Sequence, residues 1–416
     1  MSVNAKHIYS TAIKTLLMVS SMSLLMTACS EDSSDMQEDR DVLQIIPFTR
    51  PFTDEGQLQT RAENLLSTYR APHDNITLPT DYLIFRNLYP QASSEYASIH
   101  AFFIEKGTTT VNTEGDFVYD YTKEELYTDE FITNTGWSSN VRLRAGKEYY
   151  IYGFMPKSLT PSASIEPNNG SYENKAVINI NGIDAVTPAD VCVVTGVKGL
   201  DTPITAPLTT ENVELGYFYY KGRTKEEGNY IYLLLDHLFA CINLEYSVAT
   251  QYSYLRKVKL RKVEISANGE TPKKRNLTVT IPGSNSSLYD VVYSVADVEG
   301  TNVSVHPAVI YDKSGTAASA LDYIPVEGIG RLSVPGYFTP HLNTSFKITS
   351  YYDVYDLQDN MVREGCKADN NIQLNTTDPI QRGNSYTVRF VITPTYLYQL
   401  SEPDLDNPTI RPHVGS

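Results

Sequence analysis

The feature that most constrains this chain is the spacing of its strand-forming residues. Period-2 or continuous β-type runs, closed off by turn residues, recur from Val42 to Tyr398, and this pattern specifies strands rather than helices. In the first half they fall at 42–48, 82–89, 97–105, 117–121, 141–144, 148–155, 176–180, 191–195 and 213–220. The second half adds 230–235, 238–248, 254–267, 276–281, 291–295, 331–334, 346–355, 372–374 and 386–398. Thirty-one tyrosines beside 23 glycines and 22 prolines fit strands and tight turns. Helical signals are confined to 62–70 and 123–127. The expected fold class is all-β.

The chain has 416 residues, a length suited to two domains. Two β-sandwiches in tandem are expected, at 62–222 and 223–416. The charged, glycine-flanked stretch 222–228 marks the boundary, although a hairpin turn would look much the same. Residues 161–172 read as a long surface loop and 283–287 as a turn. No repeat of fixed short period occurs.

The first 28 residues have another purpose. Lys6 and Lys14 precede an apolar stretch over 15–26, with no acid in the segment. That is the layout of a secretory signal, too short for a permanent membrane span. It ends Leu25-Met26-Thr27-Ala28-Cys29, which looks like a bacterial lipobox with cleavage after Ala28 and lipid (palmitate-type acyl chains) on Cys29. The acidic run Ser30-Glu31-Asp32-Ser33-Ser34-Asp35 resembles the signal that sends Bacteroidetes lipoproteins to the outer face of the outer membrane. The lipid is then the expected membrane attachment.

Thirty-four basic against 49 acidic residues give a net charge of −15, which argues against nucleic acid as a partner. No Gly-x-Ser-x-Gly, His-Glu-x-x-His, P-loop or Gly-x-Gly-x-x-Gly motif occurs. Neither catalytic residues nor a cofactor are expected, and the chain reads as no enzyme. His237 sits between strand-like runs and reads as a structural histidine, with Asp236 as the neighbour that could orient it. Cys192, Cys241 and Cys366 lack CxxC spacing and paired histidines, so no metal site is expected among them. At most one disulfide joins two of these three. The turn at 404–407 has oxygen ligands but lacks the glycine and distal glutamate of a calcium loop. Trp137 is the single tryptophan a sugar could stack on, and nothing in the sequence localises a glycan platform.

Processing is the more specific signal. Arg50 and Arg61 lie between the lipid cysteine and the first domain. Pro51 protects Arg50 from trypsin-like enzymes, whereas Thr60-Arg61-Ala62 follows an exposed polar stretch. A cut at Arg61 would free residues 29–61, including the strand around Val42, Leu43, Ile45 and Ile46. An apolar strand taken out of a sandwich leaves a groove that accepts another chain's strand.

These features together resemble the fimbrillin superfamily of Bacteroidales, the lipoprotein-derived type V pilus subunits. Lys147-Glu148-Tyr149-Tyr150-Ile151-Tyr152-Gly153-Phe154-Met155-Pro156 is similar to a first-domain strand of that family. Residues 233–244, with Asp236-His237-Leu238-Phe239-Ala240, are similar to the strand that opens its second domain. Residues 382–392 are similar to its penultimate strand. The resemblance implies two transthyretin-like β-sandwich domains, release of the first strand by cleavage, and strand exchange with other pilus subunits. The donor strand would lie at 393–400, with Tyr396, Leu397 and Tyr398 as its exchanging residues, or in the tail beyond. Pro403, Pro408 and Pro412 break that tail, a departure that fits an anchor or tip subunit. A host protein or glycan receptor is a further implied partner. The alternative is a stand-alone glycan-binding surface lipoprotein.

Overall fold

The structure, a computed structural model, describes residues 42–54, 83–89, 96–123, 126–127, 132–134, 136–199, 217–222, 229–267, 274–282, 292–298, 307–340, 345–374 and 380–393. In chain order the first strands are β1 (Gln44–Thr49), β2 (Thr53–Asp54), β3 (Leu83–Ile84), β4 (Ser98–Glu105), β5 (Thr113–Tyr119), β6 (Leu126–Tyr127), β7 (Ile132–Asn134) and β8 (Trp137–Ser139). Next come β9 (Lys147–Met155), β10 (Ala163–Glu166), β11 (Lys175–Asp184), β12 (Val186–Thr187), β13 (Cys192–Gly199), β14 (Tyr217–Tyr220), β15 (Tyr230–His237) and β16 (Ala240–Val248). The last are β17 (Lys257–Ala267), β18 (Lys274–Pro282), β19 (Val292–Asp297), β20 (Ala308–Asp312), β21 (Leu332–Phe338), β22 (Ser345–Tyr355), β23 (Met361–Gln373) and β24 (Asn384–Ile392). Two four-residue helices, α1 (Phe85–Leu88) and α2 (Thr250–Ser253), interrupt them. The fold is all-β.

Nine strands form the first sheet, in the order β3-β1-β15-β13-β9-β4-β5-β8 with β14 on β9. The sheet curls until its ends meet: the Leu43 amide donates to the Val141 carbonyl at 3.1 Å, and Val42 bridges Arg142. Inside lies an apolar core including Ile45, Ile99, Phe103, Phe117, Ile151 and Leu233. The second unit is a sandwich in which β12-β21-β16-β24-β2 faces β20-β17-β22-β23 across Ile242, Leu244, Val263, Ile265 and Phe346. A third sheet, β10-β11-β18-β19, packs Ile178, Ile180, Leu277 and Val279 against Tyr152 and Phe154 on the outer face of the first. That layer explains why β4 is buried almost throughout. Ala101 and Phe103 enter the inner core while Phe102 and Ile104 meet the third sheet, so both faces are dry.

Several expectations shift in detail. Residues 82–89 are not one strand: β3 gives way to α1, which places Phe85 and Tyr89 on one face with ring centroids 4.8 Å apart. Segment 141–144 contributes the seam contacts above without forming a ladder, and the expected helical turn at 123–127 ends as β6 on β7. The expected loop 161–172 contains β10, and β20 is a strand that the sequence pattern does not mark. Of β23 only its last residues were read, because this edge strand is polar and largely exposed from Met361 onward. Residues 222–228 lie partly outside the described residues, yet β15 beyond them pairs with β1 and β13 in the first sheet. The first sheet therefore runs to His237. The expected turns at 62–70 and 283–287 lie outside the described residues.

Candidate functional site: the N-terminal strand and its clasp

The site begins with β1. It runs parallel to β15 with Gln44 opposite Tyr230 and Thr49 opposite Leu235, and among the described residues its other edge pairs with β3 at Phe48 and Thr49. Leu43 and Ile45 enter the inner core, and Leu43, Ile45, Ile46 and Phe48 are all 0–1% exposed. Burying four such side chains is worth roughly 6–12 kcal/mol against water. The apolar, β-capable run at 42–48 makes β1 legible, and the sheet buries both of its faces.

Beyond Thr49 the segment crosses to the second sandwich, where a different chemistry holds it. The Arg50 carbonyl accepts a hydrogen bond from His237 Nε2 at 2.6 Å. Phe52 stacks on the His237 ring with centroids 3.8 Å apart and lies 5.9 Å from the Tyr337 ring. The Thr53 amide donates to the Gly383 carbonyl at 2.8 Å, and β2 then pairs in parallel with Asn384 and Ser385 of β24. Gly383 adopts φ 74° at this turn, a left-handed conformation suited to glycine.

His237 itself is locked from behind. Its Nδ1 lies 2.6 Å from Asp190 Oδ2, and that same oxygen accepts from the Tyr89 hydroxyl and from Cys192 Sγ at 3.2 Å. A carbonyl only accepts, so Nε2 carries a proton; Nδ1 facing a carboxylate carries the other. This arrangement favours the protonated, imidazolium form of the ring. Burial is the largest influence and would lower its pKa, but the charge and hydrogen bond of Asp190, the Arg50 carbonyl and the Asp236 charge together turn the net direction upward. Burial, then Asp190, pushes the Cys192 thiol and the Tyr89 phenol well above their usual values.

The orienting carboxylate is thus Asp190, which sequence proximity did not reveal. Asp236 instead accepts from Arg382 Nη1 at 2.7 Å, and the same nitrogen donates to the His237 carbonyl at 3.0 Å. Only the β13–β15 pairing, which sets Cys192 opposite His237, brings Asp190 within reach. A Cys-His-Asp set suggests nucleophilic catalysis, and the geometry speaks against it. In a working triad the base uses one ring nitrogen for the nucleophile and the other for its carboxylate. Here Cys192 Sγ, 3.6 Å away, and Asp190 share Nδ1, while Nε2 is taken by a backbone carbonyl. The thiol is also fully buried and held protonated.

Among the described residues, ligand-type atoms of Asp190, Cys192 and His237 lie within 4.8 Å of one another. Their N, S and O chemistry would suit a zinc-like cation, but the 2.6 Å between Nδ1 and Oδ2 is a hydrogen-bond length. Two such ligands on one tetrahedral zinc stand about 3.3 Å apart. Cys192, Cys241 and Cys366 are free thiols.

No protein-family model matches the chain, and no curated protein matches it in sequence. Solved structures that resemble it include adhesion and fimbrial proteins of Bacteroidales and a protein of Bacteroides thetaiotaomicron described as polysaccharide-binding. A candidate cell adhesion protein of Bacteroides fragilis is 11% identical, with 84% of this chain and 92% of that one covered at a TM-score of 0.30. A fimbrial protein of Bacteroides ovatus is 10% identical over 85% of this chain and 49% of that one, at 0.27. The fimbrial anchor protein Mfa2 of Porphyromonas gingivalis is 9% identical over 83% and 90%, at 0.22.

The remaining sequence-derived residues divide into two groups. Ile45 and Ile46 lie on the β15 edge, whereas Val42 and Leu43 meet Arg142 and Val141 at the seam of the sheet. Ala28, Cys29, Arg61, Tyr396, Leu397, Tyr398 and the turn 404–407 lie outside the described residues. Trp137 is 6% exposed and wedged between Phe85 and Tyr119, so its faces are spent on the core. No helix among the described residues is long and apolar enough to cross a membrane.

Proposed function

We propose that this chain is a structural and adhesive subunit of a surface pilus, exported as a lipoprotein and assembled by strand exchange. The observation that carries the reading is β1 itself: a six-residue ladder whose apolar side chains complete the first core, yet which lies upstream of Arg61. Cys29 would carry the lipid to the outer membrane and the cell surface. Cleavage after Arg61 would cut residues 29–61 from the rest, and a strand of another pilus subunit would then take the place of β1. Backbone pairing and core burial supply the free energy, with no cofactor and no reaction. A subunit left with the open groove gains its full stability only on polymerising.

The alternative within this reading is a lipid-retained anchor or tip subunit, favoured by the proline-broken tail at Pro403, Pro408 and Pro412. N-terminal sequencing of protein recovered from the cell surface tests both. Polymerised material is expected to begin at Ala62. Material beginning only at lipidated Cys29 would rule out the shaft role and leave the anchor role.

A further inference from the structure

We propose that the cleft around His237 is a specificity pocket for the strand that replaces the leader. It selects a partner segment from a different subunit, one bringing an acceptor carbonyl to the Arg50 position and an aromatic ring to the Phe52 position. This rests on the strand-exchange reading above. The β15 edge is a permissive site, because any extended segment with suitable apolar residues can satisfy a backbone ladder and a core. The clasp is not permissive. His237 offers one aimed N–H donor and one ring face, with Phe52 stacked at 3.8 Å and the Arg50 carbonyl at 2.6 Å. Asp190 fixes the ring from behind through Nδ1 at 2.6 Å, so the pocket is shaped before a strand arrives. The stacked pair is also a ring on an imidazolium, which favours an aromatic over an aliphatic side chain.

The occupant's chemistry follows from the leader's spacing, with small or apolar residues at 43, 45, 46 and 48 and an aromatic four residues after the last. This chain's own tail fits poorly in that orientation. Placing Tyr396 at the Phe52 position puts Arg389 at the fully buried Ile45 position, and placing Tyr398 there puts Pro394 at that of Phe48 and Arg389 at that of Leu43. The matching donor therefore belongs to another chain.

The test uses the full chain cut after Arg61 by a trypsin-like protease, with the leader still seated, and labelled peptides of residues 42–54. Peptides with Phe or Tyr at position 52 are expected to displace the leader. The Phe52→Ala peptide should need about tenfold more, the scale of one aromatic contact. His237→Gln keeps an N–H donor and removes the ring, and should erase the difference between the Phe and Ala peptides. Equal competition by the Phe and Ala peptides on the wild-type chain would overturn the pocket and leave strand exchange standing. Undiminished discrimination by the His237→Gln chain would do the same. If no peptide displaces a leader that mass spectrometry shows to be cut, exchange fails and the pocket with it.

Discussion

The leader is held at two places by two kinds of force. In β1, six residues pair with β15 and four apolar side chains vanish into the sheet. At β2, two residues pair with β24, and the grip comes from one imidazolium, one ring and one amide. The first hold is mainly apolar burial and backbone pairing; the second is a few directed polar and ring contacts. Under the proposed exchange, this contrast would let a strand be stable enough to finish a fold yet identifiable enough to be replaced by the correct successor.

The largest expected effect breaks the first region. Ile45→Asp would place an unpaired carboxylate where Ile45 is 0% exposed, a cost of several kcal/mol beyond the lost apolar burial of about 2–3 kcal/mol. The full chain should lose the cooperative unfolding of its first sheet in a urea titration followed by tyrosine fluorescence, and retain that of the second sandwich. Unchanged midpoints would show that β1 is dispensable to the core.

Next comes the support of the clasp. Asp190→Asn leaves the buried His237 facing an amide, and removing one partner of a buried pair typically costs about 3–5 kcal/mol. A thermal melt should show that loss. A His237→Gln, Asp190→Asn double variant should recover part of it, because the unpaired charge is gone. No recovery would mean that the pair is not coupled.

What the sequence made legible follows the same division. Alternation marks β22 and apolar β-type runs mark β1, β4 and β9, since apolar side chains announce a dry face wherever they lie. Of β23 the pattern marks only the end, because that polar edge has no dry face, and it reads 82–89 as strand where Phe85 and Tyr89 pack as one helical turn. For the clasp, Asp236 was the visible carboxylate because it adjoins His237. Asp190 lies 47 residues away and reaches His237 only through the β13–β15 ladder. Long-range pairing of single polar residues leaves no periodic trace.

The pH dependence separates the two regions further. The His237 pKa is raised on folding, so its stabilisation is complete below the unfolded value, about 6.5, and is lost as pH rises through the folded value. Stability should fall above pH of about 6.5 at up to about 1.4 kcal/mol per unit. The raised Cys192 and Tyr89 values have the same sign but act only above the ordinary thiol and phenol ranges. In the His237→Gln chain the loss just above neutrality should disappear while the alkaline loss remains. A wild-type profile that rises through this window would contradict the imidazolium.

The smallest effect probes the last hold of the clasp. Thr53→Pro removes the amide that donates to the Gly383 carbonyl, one hydrogen bond worth about 0.5–1.5 kcal/mol. Because the ladder of β1 lies elsewhere, the urea midpoint of the first sheet should hardly move. The change belongs instead in amide hydrogen exchange, where the start of β24 should lose protection at Ser385 and its neighbours while Ile45 and Ile46 keep theirs. Protection lost equally in β1 and β24 would show that the two regions release together. The leader would then be a single cooperative unit, rather than an anchored strand with a separately readable end.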